Sequence, residues 1–189
     1  MPNLAVFASG SGSNFQALAE ALAATQHKLA CLICDKKNAY AFERAQKLGI
    51  PSHHVSYAGR SREKAEEEII DVLKPYRIDY IALAGFMRLL SKRLIDTYAS
   101  RIVNIHPALL PKYPGAHGIV DSYNSLDREL GITIHFVDYG LDSGPIILQK
   151  SFIRTGTEKI EEIEAAIHQL EHIWYPKVMI DLLESAGEE

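Results

Sequence analysis

Three short stretches of this 189-residue chain hold polar side chains at spacings that suit chemistry. The first is Asn104-Ile105-His106-Pro107, at the end of an apolar run. Residues i and i+2 of a strand share a face, so Asn104 and His106 can both reach one small group just past a sheet edge. An amide beside an imidazole suits a carbonyl that becomes an oxyanion. The same spacing equally fits an Asn that ties down a turn next to an ordinary hydrogen-bonded His. The second stretch is the tight acidic loop Asp138-Tyr139-Gly140-Leu141-Asp142-Ser143-Gly144-Pro145. Asp142 there fits a base or proton relay, or a turn cap, the commoner job of Asp between glycines. His135, on the strand face opposite Ile134, reads as a core or supporting histidine as readily as a catalytic one. No pair among the eight histidines has a spacing that suggests metal ligands, so no metal is expected.

The third stretch is Ser9-Gly10-Ser11-Gly12-Ser13-Asn14, between an apolar run and a helix-forming segment. Glycines let a backbone approach an anion, and a helix start supplies free N–H groups and a positive end. A dinucleotide fingerprint, with Asp35 holding a ribose, is the obvious reading, but its third glycine position is Phe15. A monophosphate cradle fits better.

These segments need a scaffold, and the hydrophobic pattern describes one. Apolar runs at Leu4 to Ala8, Leu29 to Cys34, His53 to Val55, Ile78 to Ala84 and Ile102 to Ile105 read as strands. Helical segments alternate with them: Asn14 to Ala24, about Tyr40 to Gly49, Ser61 to Leu73, and Ser91 to Tyr98. His106 to Leu130, rich in Pro and Gly, reads as a long loop with a helix near its end; long ordered loops are commonly functional. Gly131 to Val137 and Pro145 to Ile153 look like closing, antiparallel strands, before a helix from Thr157-Glu158 to Leu183, bent at Pro176. The fold class is therefore α/β: a doubly wound, mostly parallel sheet in one domain spanning 1–189, with ligands beyond the C-terminal strand ends. Cys31 and Cys34 fall inside a buried strand, where positions three apart face opposite ways, so they read as reduced core residues. With 20 Lys and Arg against 24 Asp and Glu, no basic run, no secretory signal and no apolar span, neither nucleic acid nor a membrane is an expected partner. A cytoplasmic protein acting on small molecules is expected.

The Ser9 to Asn14 loop, Ala84-Gly85-Phe86-Met87-Arg88, the run from Asn104 to His117, His135-Phe136-Val137 and Asp142-Ser143-Gly144-Pro145 together resemble the folate-dependent formyltransferases, nearly end to end. Within that family the N-terminal loop is most similar to the members that formylate glycinamide ribonucleotide in de novo purine synthesis. The resemblance implies a Rossmann-like formyltransferase domain, its N-terminal half on the ribonucleotide side and its C-terminal half carrying the folate side and catalytic loops. It implies 10-formyltetrahydrofolate as co-substrate, direct attack of the amine through a tetrahedral intermediate, and no metal. It assigns Asn104, His106 and Asp142 to catalysis with His135 in support, and Gly12, Ser13, Asn14 and Glu171 to the phosphate and ribose. Arg62, Met87, Arg88, Leu89 and Leu90 fall to the folate. A homodimer is compatible with it. The rival readings are a formyltetrahydrofolate hydrolase, which usually carries an extra N-terminal domain, a dinucleotide-dependent oxidoreductase, and a folate-binding module without turnover.

Overall fold

The computed structural model describes residues 1–187. Seven strands alternate with six helices: β1 Asn3–Ala8, α1 Ser13–Leu22, β2 Lys28–Cys34, α2 Ala41–Leu48, β3 Ser52–His54, α3 Arg62–Leu73, β4 Tyr80–Leu83, α4 Lys92–Thr97, β5 Ile102–His106, α5 Gly118–Tyr123, β6 Glu129–Phe136, β7 Ile146–Ile153 and α6 Ile160–Gly187. They form one sheet in the order β3-β2-β1-β4-β5-β6-β7. The first five strands of that order pair in parallel, while β5–β6 and β6–β7 pair antiparallel. The expected doubly wound sheet with antiparallel closing strands is what forms.

Local chemistry explains the boundaries. The Ser61 and Ser91 hydroxyls accept from the N–H groups of Lys64 and Leu94, capping α3 and α4. Gly49, at φ 66°, closes α2 in the left-handed conformation, and Pro51 follows. Along β1 the period of two divides the core. Leu4, Val6 and Ala8 face the layer containing Phe15, Leu18, Ile163, Ile167 and Met179, whereas Ala5 and Phe7 face Ala65, Ile69 and Leu94. Helices therefore cover both faces, as parallel strands require. Cys31 and Cys34 are both buried and free, and burial pushes the Cys31 thiol up to about 12.

Three elements differ from expectation. The segment 106–130 carries a short helix in its middle, α5, not near its end. Strand β6 starts at Glu129, because Glu129 and Leu130 pair with Ile153 and Phe152 of β7. The last helix starts at Ile160 and continues through the buried Pro176 to Gly187. Its start is delayed because the Glu158 carboxylate accepts from the N–H groups of Thr155 and Gly156 (2.7 and 2.8 Å) and holds a turn there. No helix among the described residues is long and apolar enough to cross a membrane.

Candidate active site

The chain runs outward from β1 through β2 to β3, then returns to β4 on the other side of β1. At this reversal α1 and α4, the helices that follow β1 and β4, pack on opposite faces of the sheet, and such a point is the usual ligand site of these sheets. A cleft of about 880 Å³ opens there, lined by Gly10 to Asn14, Ala84 to Leu90, Asn104 to Pro107, Gly115 to His117, His135, Val137 to Asp142, Glu164, His168 and Glu171. Arg62 also borders it. That volume lies within the range of small-molecule sites. Every residue that the formyltransferase resemblance assigns to a site lies on this one cleft, whereas Asp35 does not.

At one end the antiparallel register of β5 and β6 sets Asn104 opposite His135 and His106 opposite Thr133. The hydrogen bonds then define each group's role. His135 Nδ1 donates to the Phe136 carbonyl (2.8 Å), so Nε2 is left to accept from Asn104 Nδ2 (3.1 Å). Burial keeps His135 neutral by moving its pKa below 6.5, in agreement with that accepting role. The second Asn104 N–H has only a long contact to Asp142 Oδ1, at 3.5 Å. His106 Nε2 donates to the Tyr113 carbonyl (2.7 Å) and turns Nδ1 towards Asp142 Oδ2, 3.5 Å away. Asp142 Oδ2 in turn accepts from the Gly115 N–H at 2.7 Å. An amide, an imidazole and a carboxylate thus converge at the cleft, with one N–H loosely occupied.

The backbone around these groups is shaped to hold them. Asp142 and Tyr113 both adopt left-handed φ values, 50° and 56°. Conformations of this kind persist only where the surroundings enforce them. A Cβ on Gly118 would lie 3.0 Å from His106 Nε2, so this glycine makes room for the ring. Thr133, fully buried, accepts from the Leu110 N–H (3.0 Å) and donates to the Ala108 carbonyl (2.7 Å), which pins the loop that follows His106. Gly118, Thr133 and the Tyr113 carbonyl escaped the sequence reading. A backbone acceptor leaves no signal in residue type.

At the other end, Gly12 caps α1 in the left-handed conformation (φ 72°), and a Cβ there would stand 2.8 Å from Ala41 Cβ and 2.9 Å from its Cα. The loop is joined to the next one: Ser9 N–H donates to the Gly85 carbonyl and Ser9 Oγ accepts from the Met87 N–H. Asn14 points inward. Its Nδ2 donates to Glu171 Oε2 (3.0 Å), and its Oδ1 is buried without a partner. His168, one helical turn before Glu171 on α6, donates from Nδ1 to the same carboxylate oxygen at 2.9 Å, which raises its pKa above 6.5. The i, i+3 spacing of His168 and Glu171 was visible in the sequence and was missed.

The middle of the cleft is apolar and basic. Met87 and Leu89 are each 59% exposed. Arg88 pairs with Asp35 (2.7 Å) and lies over the Tyr57 ring (4.9 Å). Asp35 therefore serves Arg88, which removes the ribose partner of the dinucleotide alternative, and Phe15 is fully buried where a dinucleotide fold needs glycine.

Residues 2–179 match the family model described as Formyl transferase. The chain is 42% identical over 186 residues to the phosphoribosylglycinamide formyltransferase of Bacillus subtilis (strain 168), covering 97% of this chain and 95% of that one. It is 39% identical to the enzyme of the same name from Escherichia coli (strain K12), over 94% and 85% of the two chains. The crystal structure of glycinamide ribonucleotide transformylase 1 from Geobacillus kaustophilus superimposes with a TM-score of 0.92, at 44% identity, over 97% and 99% of the chains. With that fold and nearly the whole length in common, the chain belongs to the formyl transferase family.

Proposed function

We propose that this chain transfers the formyl group of 10-formyltetrahydrofolate to the amine of glycinamide ribonucleotide in de novo purine biosynthesis. The observation that carries the reading is that one cleft joins a glycine loop at a helix start to the Asn104, His106 and Asp142 cluster. A phosphorylated acceptor held at one end brings its amine to the other. The folate supplies the formyl group already activated on nitrogen.

The residues divide the work as follows. The free N–H groups at the start of α1, from Gly12 to Asn14, take the 5′-phosphate. Glu171 accepts from the ribose hydroxyls, and the unpartnered Asn14 Oδ1 offers a second acceptor beside it. Met87, Arg88, Leu89 and Leu90 line the pterin pocket, and Arg62 lies near the acidic tail of the folate. The loosely held Asn104 N–H moves to the formyl oxygen as the amine attacks, and His106, as an imidazolium with Nδ1–H besides the Nε2–H held by Tyr113, stabilises the same oxygen as it becomes an oxyanion in the tetrahedral intermediate. Asp142, 3.5 Å from His106 Nδ1, accepts the proton the amine releases and relays it to the departing folate nitrogen, with the left-handed turn holding it in place. No covalent enzyme species is required. The reading makes this a cytoplasmic enzyme working as one domain, with two small-molecule substrates and no need of nucleic acid, membrane or metal; a homodimer is compatible with it.

The test is to incubate the protein with 10-formyltetrahydrofolate, with and without glycinamide ribonucleotide, and follow the folate spectrum. Loss of the formyl group only with the ribonucleotide present is expected. Loss without it identifies a hydrolase, and no loss in either mixture removes the reading.

A further inference from the structure

One cation beside the glycine loop has no part in the chemistry above. Arg44, on α2, donates from Nε to the Ser11 carbonyl oxygen at 2.8 Å. Its guanidinium also bonds the Gln16 side chain and lies over the Tyr40 ring, 5.0 Å from the centroid. Three partners therefore fix this side chain, and none of the α2 residues lines the cleft. The preceding loop carbonyl is tied to the same helix: Gly10 O accepts from the Ala41 N–H at 3.2 Å. Gly12 presses on Ala41, where a Cβ would have no room.

These ties have a geometric consequence. In a trans peptide plane the carbonyl of one residue and the N–H of the next point in opposite directions. Holding the Gly10 and Ser11 carbonyls against α2 turns the Ser11 and Gly12 N–H groups away from it, and these are residues that line the cleft. Two successive N–H groups aimed at one concavity make an anion site. Without the Arg44 tether the Ser11–Gly12 plane is free to rotate, because Gly12 tolerates many backbone conformations, and rotation would present a carbonyl to the anion.

We propose that Arg44 is a positioning residue for ribonucleotide binding: it holds the Ser11 carbonyl so that the Gly12 N–H faces the 5′-phosphate. The inference rests on the phosphate-loop reading above. Its test compares wild type, Arg44→Ala and Arg44→Lys on glycinamide ribonucleotide and on the nucleoside that lacks the phosphate. Arg44→Ala should raise the KM for the ribonucleotide about tenfold, the weight of one charge-assisted hydrogen bond, with kcat and the folate KM nearly unchanged. Arg44→Lys, which keeps a donor within reach of Ser11, should recover most of the loss. On the nucleoside, Arg44→Ala and wild type should have equal kcat/KM. An unchanged ribonucleotide KM in Arg44→Ala overturns the role of Arg44, and so does an equal loss on both acceptors, which would mark general damage to the fold. If the alanine variant does not fold, the same comparison is made between wild type and Arg44→Lys, where a loss on the nucleoside equal to that on the ribonucleotide again overturns it. A wild type that treats both acceptors alike, and is not stabilised to heat by inorganic phosphate, overturns the phosphate-loop reading itself.

Discussion

The two ends of the cleft are built from different materials. The glycine loop works through its backbone: its shape depends on Gly12 at a left-handed φ and on carbonyls drawn towards α2. The proposed catalytic end is built from side chains that hold one another, with Asn104, His135, His106 and Asp142 linked across two antiparallel strands and one loop. A backbone site binds any group of the right charge and size, so it governs affinity. A side-chain site places single atoms against a reacting centre, so it governs turnover. Substitutions at the two ends should therefore separate into effects on KM and on kcat.

The largest effect belongs to the catalytic end. Asn104→Ala and Asp142→Asn should each lower kcat about 10²–10³-fold while the protein stays folded, because each removes an oxyanion donor or proton acceptor without opening the core. Near-normal turnover in either variant would remove the assignment. At the loop, Gly12→Ala should raise the ribonucleotide KM more than it lowers kcat. It should also destabilise by roughly 1–3 kcal/mol, since the new Cβ meets the Ala41 backbone at an unfavourable φ. A kcat loss larger than the KM change would erase the division between the ends.

Smaller again is Glu171→Gln, expected to raise the ribonucleotide KM by about tenfold, the worth of one charged hydrogen bond. It should also let the His168 pKa fall back towards 6.5, because Glu171 is what raises it. The sign follows: the His168–Glu171 pair contributes stability that is fully present below about pH 6.5 and is lost as pH rises through the higher folded value. NMR titration of His168 in wild type and variant checks both statements. His135 runs the other way. Burial lowers its pKa, so its contribution is present above pH 6.5 and is lost as pH falls through the lower folded value. Protonation there takes away the acceptor of the Asn104 amide, so kcat should fall with acidification while the ribonucleotide KM changes little.

Much of this was legible beforehand. The period-two runs and their helical partners describe the sheet, because burial on both faces demands continuous apolar strands. The glycines of Ser9 to Asn14 mark a tight strand-to-helix turn whose free N–H groups suit an anion. His106 and Asp142, by contrast, are 36 positions apart, and nothing in their spacing says that they meet.

The sequence by itself therefore determined the order of strands and helices, the glycine loop, and which polar residues lie at strand ends. Those properties follow from local periodicity and from the conformations each residue type allows. Only the tertiary structure decided that Asn104 faces His135, that the Tyr113 carbonyl holds His106, that Glu171 bonds Asn14 from 157 positions away, and that Asp35 belongs to Arg88. Each of those contacts depends on the register of antiparallel strands or on how a helix lies across the sheet. Register and packing are set by the burial of whole faces, so no single segment contains them.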